Sequence, residues 1–229
     1  MQQNFTYDLA AAAAFRLSTS HSRFERYLKT TDDNQLDALM LYRWNTLVSQ
    51  SLYPSLQAWE ICFRNKINNF LKCKYGDRWQ FDTSKAFRNF KKIDQRRVLE
   101  AVNRQQRQRN TQFPSSCSIV ADLSVGFWVS QLSEGYFVPY SWNYNISRVF
   151  PNSSIISHKE AHNICSKLLI LRNRIAHHEP IFHMPLDEIN KNLLCIIEAM
   201  CETTSIFAKD TCNFEDVWKY RPLNLKATT

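Results

Sequence analysis

Only three glycines occur in 229 residues, so the chain has few positions that can enter left-handed backbone without steric cost. With seven prolines besides, it lacks the punctuation that a many-stranded sheet needs, and long helices are the expected alternative. Hydrophobic spacing points the same way. Leu36, Leu39, Met40, Trp44 and Leu47 recur at three to four residues, and so do Leu56, Trp59, Phe63, Ile67 and Phe70, which is the period of a helix with one buried face. Pro54 is expected to separate these two helices, and Gly76 to end the second just past Lys74.

A short helix capped by Ser18 or Ser20 is expected to precede them and run through Lys29, with residues 1–17 loosely tied. Beyond Gly76, one helix is expected over residues 84–108 with Phe87, Phe90, Ile93, Val98 and Val102 inward. Another, capped by Ser116 or Ser118, covers Ile119 to Val129 and is apolar almost all round, which suits the middle of a core. Residues 135–154 read as irregular apart from a short helix near Ile146. A long helix is then expected from Ser157 to His178, and a last one from Leu186 that buries Phe207. The expected fold class is all-α, a helical bundle forming a single domain over residues 1–229, with 221–229 as loosely ordered as the first seventeen.

The formal net charge is +8, and it is concentrated. Lys85, Arg88, Lys91, Lys92, Arg96, Arg97, Arg104, Arg107 and Arg109 face only Asp94 and Glu100 within the same stretch. Such a block attracts an anionic partner, nucleic acid above all, through phosphate contacts; a merely solvated helix face is the alternative. The seven cysteines are odd in number and never form a CxxC pair, which suits reduced core thiols in a cytoplasmic protein. No apolar run approaches the ~18 residues of a membrane span, so no membrane partner is expected.

Chemistry is densest from Leu168 to His183. An apolar run turns there into Arg172, Asn173, Arg174, His177, His178 and Glu179, and Pro180 is expected to stop the helix. The stretch His178-Glu179-Pro180-Ile181-Phe182-His183 is one residue too long for the zinc-protease motif, and the proline breaks the helix that motif requires. His158 and His162 have metal-ligand spacing without supporting ligands, so neither a metal nor another cofactor is expected. Arginine and histidine suit phosphodiester chemistry: arginine offsets charge growing on phosphorus, and histidine moves a proton near neutral pH. On a regular helix Arg172 points about 140° away from His177. Either the helix distorts before Pro180, the arginine reaches round, or a second copy of the chain completes the site. The alternative to a site is that these cations merely complement the helix dipole. Glu60 and Arg64, four apart, are expected to pair on their helix surface, worth about 0.2–0.5 kcal/mol.

Arg172-Asn173-Arg174-Ile175-Ala176-His177 resembles the R-N-x-x-x-H motif of the HEPN superfamily, and its extension through Ile181 resembles the signature of bacterial Abi-like proteins of the AbiD/AbiF type. Tyr42-Arg43-Trp44-Asn45, the Glu60 to Asn65 segment, Tyr75-Gly76 and Ile119 to Trp128 are similar to that family in the same order. The resemblance implies a HEPN-like bundle with additional helices, a homodimer with a composite active site, and metal-independent endoribonuclease activity in abortive-infection defence against phage. Some relatives are implied to bind a noncoding RNA. Carried over by motif position, Arg172 and His177 are catalytic and Asn173 orients them. Glu60, Arg64, Asn65, Arg174, His178 and Glu179 form a supporting group. Two other readings stay open at this point: a protein that holds a structured noncoding RNA without cutting it, and modification chemistry supplied by a partner enzyme.

Overall fold

The computed structural model describes residues 5–81 and 83–222, and among them there is helix and no strand. The helices are α1 (Leu9–Thr19), α2 (His21–Thr30), α3 (Gln35–Tyr75), α4 (Lys85–Asn89), α5 (Lys92–Arg109), α6 (Ser116–Asp122) and α7 (Val125–Ser130). After a 3-10 turn at Glu134–Tyr136 come α8 (Phe137–Tyr140), α9 (Trp142–Val149), α10 (His158–Ala176), α11 (Leu186–Met200), α12 (Glu202–Thr211) and α13 (Phe214–Trp218). The all-α class is therefore the observed one.

Two compact units make up the chain. The first comprises the described residues up to Tyr53, Arg174–Leu186 and the described residues from Cys212 on; the second comprises Pro54–Asn173 and Asp187–Thr211. In the first, Phe24, Tyr27, Trp44, Ile181 and Phe214 are buried. Trp44 stands 5.8 Å from Trp218 and donates its indole N–H to the Val217 carbonyl at 3.3 Å. In the second, Trp79 is ringed by Phe90, Phe127 and Trp128 at 5.8 to 6.2 Å, and its N–H is taken by Asn68 at 3.0 Å. Large aromatic rings with a polar tip bury well only when that tip is satisfied.

Several boundaries differ from expectation, each for a local reason. The stretch expected to be loosely tied contains α1, started by Asp8, whose carboxylate accepts from Ala11 N at 2.7 Å, and anchored by the fully buried Ala12. Residues 1–4, and 223–229 of the other expected loose end, lie outside the described residues. Ser20 precedes α2, but its side chain caps nothing there. Pro54 does not divide α3; Leu52 and Leu56 on either side of it are both buried, and their packing carries the helix across. The change of unit nevertheless falls at that proline. Gly76, at φ 90°, ends α3 as expected.

The basic helix is two helices. Phe90 turns extended and buries its ring, while Gln95 Nε2 donates to the carbonyls of Phe87 and Phe90 at 3.0 and 3.1 Å, satisfying the end of α4. Ile93, expected inward, is exposed. The apolar run from Ile119 is also split, with Trp128 Nε1 donating to the Leu123 carbonyl at the break, and the cap of α6 is Ser115. Residues 135–154, expected irregular apart from a short helix near Ile146, carry that helix as α9 and, beyond expectation, α8. The last long helix stops at Met200: Asn152 donates to the carbonyls of Ala199 and Glu198 at 3.0 and 3.1 Å, and Phe207, expected buried, is 62% exposed. All seven cysteines are free thiols, yet only Cys165 is buried, and burial pushes its thiol up to about 12.

Candidate functional site

α10 begins with a reciprocal cap: Glu160 N donates to Ser157 Oγ at 3.2 Å, and Ser157 N donates to Glu160 Oε2 at 3.4 Å. Leu168 and Leu171 then face the core. Its last residue is Ala176, two short of expectation, and Pro180 is not what stops it. His178 N donates to Ile175 O at 3.0 Å and Glu179 N to Arg174 O at 2.8 Å, with His178 left-handed at φ 56°. These bonds form a Schellman motif with histidine where glycine usually sits. His177 therefore lies one residue beyond the helix, and a regular wheel no longer sets its direction. Pro180 follows the cap and is buried.

In the second unit, the Glu60 carboxylate accepts from Arg172 Nε at 3.0 Å. Glu60 is thus engaged across 112 residues of chain and not with Arg64 four residues on, as the helix surface suggested. Both terminal nitrogens of Arg172 are without a partner among the described residues, which leaves its fork available to a phosphate. Arg64 and Asn65 make no hydrogen bond to Arg172. They line a small cavity of about 190 Å³ with Asn68 and Ser116, and Arg64 Nε is buried there without a partner. Asn173 is exposed and unpartnered among the described residues.

In the first unit, the loop after α10 is tied down by backbone bonds. Arg174 Nη1 donates to Pro180 O at 3.1 Å and stands 3.7 Å from the Glu179 carboxylate. Arg23 Nη1 donates to His178 O at 2.9 Å. Asn45 Oδ1 accepts from Ile181 N at 2.8 Å in a buried position. His177 is exposed and has no partner among the described residues. Partial desolvation, reinforced by the guanidiniums of Arg174 and Arg26, holds His183 below the usual imidazole range. Asn45 and Arg23 were not candidates from residue type; only the likeness of the Tyr42 to Asn45 segment to the family pointed near them.

The nine basic residues of 85–109 divide by what surrounds them. Arg97 Nη1 donates to the fully buried Asp94 at 2.9 Å, Arg104 Nε to Asp122 at 3.0 Å, and Arg109 Nε to Gln105 at 3.0 Å. Lys91 donates to Ser133 at 3.0 Å, with its ammonium 5.2 Å from the Tyr136 ring centroid. Arg96 makes one loose exposed contact to Glu100 at 3.8 Å. Lys85, Arg88, Lys92 and Arg107 have no partner among the described residues. On α5, Lys92, Arg96 and Arg107 fall within an arc of about 60° and extend over roughly 22 Å, a single cationic stripe.

His158 and His162 are both held below the usual imidazole range, chiefly by burial. Among the described residues no group of three or more histidine, cysteine, aspartate or glutamate side chains is arranged to hold a metal. No described helix is long and apolar enough to cross a membrane. The chain matches no protein-family model, no curated protein and no solved structure.

Proposed function

We propose that the chain is a metal-independent endoribonuclease of the HEPN type, similar to the Abi-like proteins, acting as a cytoplasmic homodimer in abortive-infection defence. One observation carries this reading. Glu60 and Asn45, from two separate segments that resemble the same family, each hold a residue of the extended signature that contains the R-N-x-x-x-H motif: Glu60 at Arg172 Nε, Asn45 at the backbone N–H of Ile181, four residues past His177. A stretch serving only to complement a helix dipole needs neither anchor.

Arg172, held through Nε, would offer its two terminal nitrogens to a non-bridging oxygen pair and offset the charge that grows as phosphorus becomes five-coordinate. His177 would transfer the proton. The 2′-oxygen attacks phosphorus, the bond to the 5′-oxygen breaks, and the proton lost from the 2′-OH is matched by one delivered to the leaving 5′-oxygen. The products are a 2′,3′-cyclic phosphate and a 5′-OH. Asn173 would orient these groups, and a second copy of the chain would contribute a second motif to the same site.

The test is cleavage of mixed single-stranded RNA in EDTA. Arg172→Ala and His177→Ala are each expected to lose at least about 100-fold in rate, the scale of one general acid–base or charge-stabilising group. Cutting by both variants at the parent rate sinks the mechanism.

The cationic stripe on α5, in which only Arg96 makes a loose contact among the described residues, favours a second reading, in which the protein holds a structured noncoding RNA without cutting it. Co-purification of one discrete intact RNA, retained in His177→Ala and lost when Lys92, Arg96 and Arg107 are neutralised, would support that reading in place of the first.

A further inference from the structure

The first unit contains a cleft of about 590 Å³ whose wall includes Arg23, Tyr27, Tyr42, Asn45, His178 and Glu179. Its polar groups are left over from folding in an unusual way. Asn45 is 6% exposed, and its carbonyl oxygen is taken by Ile181 N. Its amide nitrogen has no hydrogen-bond partner among the described residues. Tyr27 is 1% exposed, and its hydroxyl is likewise without a partner. Solvent reaches both donor atoms, so two largely buried side chains keep hydrogen-bonding groups that no protein atom takes and that open on one cavity, where a ligand can take them. Arg23 adds a guanidinium with only Nη1 engaged, at the His178 carbonyl.

The cleft's chemistry divides into two parts. Arg23, the Asn45 amide and the hydroxyls of Tyr27 and Tyr42 are donors, which suit a phosphate. Burial keeps the Tyr27 phenol protonated and hence a donor. Tyr42, half-buried, supplies aromatic surface, with the buried Tyr27 ring packed behind it at 4.7 Å, and Glu179 supplies an acceptor for the N–H edge of a base. Glu179 does not simply repel an anion, because Arg174 stands 3.7 Å from its carboxylate. At the rim, Ser20 adopts φ 76° and ψ 143°, a conformation normally left to glycine, and leaves the start of α2 without a side-chain cap. Uncapped N–H groups at a helix start favour an anion nearby.

We propose that this cleft binds a nucleoside monophosphate unit, with the phosphate on Arg23, Asn45 and the tyrosine hydroxyls and the base against the Tyr42 ring and Glu179. The unit belongs to an RNA strand or to a free nucleotide. In the first case it is the nucleotide flanking the cut, a role that rests on the ribonuclease reading because His178 directly follows His177. Binding itself does not depend on cleavage.

The experiment measures affinity of the full-length protein for a 2′-O-methyl oligoribonucleotide, which lacks the attacking hydroxyl, and for free AMP. Tyr27→Phe removes one hydroxyl and no charge, so a loss is not a general electrostatic effect; a 3- to 10-fold loss is expected. Asn45→Asp keeps the acceptor for Ile181 N and replaces the amide donor with a carboxylate; a loss of about tenfold or more is expected for a buried charged mismatch. Should Asn45→Asp fail to fold, Tyr27→Phe decides alone. Losses in the oligonucleotide arm alone assign the cleft to a strand, and losses in both arms assign it to a free nucleotide as well. Affinities within twofold of the parent for every folded variant in both arms overturn the proposal. If binding responds as expected but the parent cuts no RNA, the ribonuclease reading fails and the cleft stands. If the parent cuts and the variants bind normally, the reverse holds.

Discussion

α5 and the last turn of α10 both concentrate cations, but they use them for different ends. In α5 the carboxylates do the structural work: Asp94 is fully buried and collects Arg97 Nη1 at 2.9 Å, the Tyr136 hydroxyl at 2.8 Å and Ser130 Oγ at 3.1 Å. Lys92, Arg96 and Arg107 are what remains on the solvent side. At the end of α10 the cations themselves are structural, with Arg174 holding Pro180 O and Arg172 held by Glu60. The groups left without partners there, among the described residues, are Asn173, His177 and the two terminal nitrogens of Arg172. Formal charge in a sequence window thus overstates the charge available to a ligand, and the surplus after internal pairing is the better guide.

The strongest way to break this contrast is at Asp94. Asp94→Ala should cost about 3 kcal/mol or more, because it strands the buried Tyr136 hydroxyl and dissolves a shared network. Arg97→Ala should cost only about 1 kcal/mol, since Asp94 keeps two hydroxyl donors. Urea unfolding of the two variants decides the matter. Equal losses would mean that the guanidinium, and not the acid, organises α5.

RNA affinity separates the free or loosely paired cations from the closely engaged ones. Neutralising Lys92, Arg96 and Arg107 together to glutamine should flatten the plot of log affinity against log salt by about 2, at ~0.7 per phosphate contact on a single strand. Neutralising Arg97 and Arg104 should leave that slope nearly unchanged. A titration from 50 to 200 mM salt tests both, and equal slopes for the two sets would show that internal pairing does not sort these residues.

Much of this was readable in the chain before its structure was known. Scarce glycine and the three-to-four spacing of Leu56, Trp59, Phe63 and Ile67 were enough for an all-α fold, because burial of an apolar stripe is a local property of sequence. Breaks at Phe90, Leu123 and Cys201 were not legible. At each break a donor from outside the broken helix satisfies a carbonyl: Gln95 and Trp128 from five residues further on, and Asn152 from 46 residues earlier in the chain, and helix propensity encodes none of these partners. The motif itself was legible, but its anchors were not. Glu60 has an attractive partner four residues away in Arg64 and instead meets one 112 residues on. The cleft was invisible for the same reason, since Tyr27 and Asn45 look like ordinary core-facing residues until their polar atoms are found without partners.

A smaller effect is expected at the cap of α10. His178 occupies left-handed backbone at φ 56°, which costs a residue with a Cβ about 1 kcal/mol relative to glycine. His178→Gly should therefore raise the unfolding free energy by about 1 kcal/mol, seen as a higher urea midpoint at unchanged m. If the imidazole also contacts the nucleotide, the same variant binds the 2′-O-methyl strand more weakly while being more stable. A gain in both would show that histidine is kept there for neither reason.

The smallest change in stability is expected for the pair that anchors Arg172. Glu60 and Arg172 are 27% and 38% exposed at their side chains, so water screens them and Glu60→Gln should cost less than about 1 kcal/mol. The glutamine carbonyl still accepts from Arg172 Nε, but a neutral acceptor holds the guanidinium more loosely. Cleavage should fall several-fold through kcat with KM little changed, because the lost interaction acts on the arrangement reached in the transition state and not on strand binding. Glu60→Ala, which removes the acceptor altogether, should fall further and toward the level of Arg172→Ala. Parent-like rates in both Glu60 variants, alongside an inactive Arg172→Ala, would show that Arg172 finds its phosphate without this anchor and that the ion pair belongs to the fold alone.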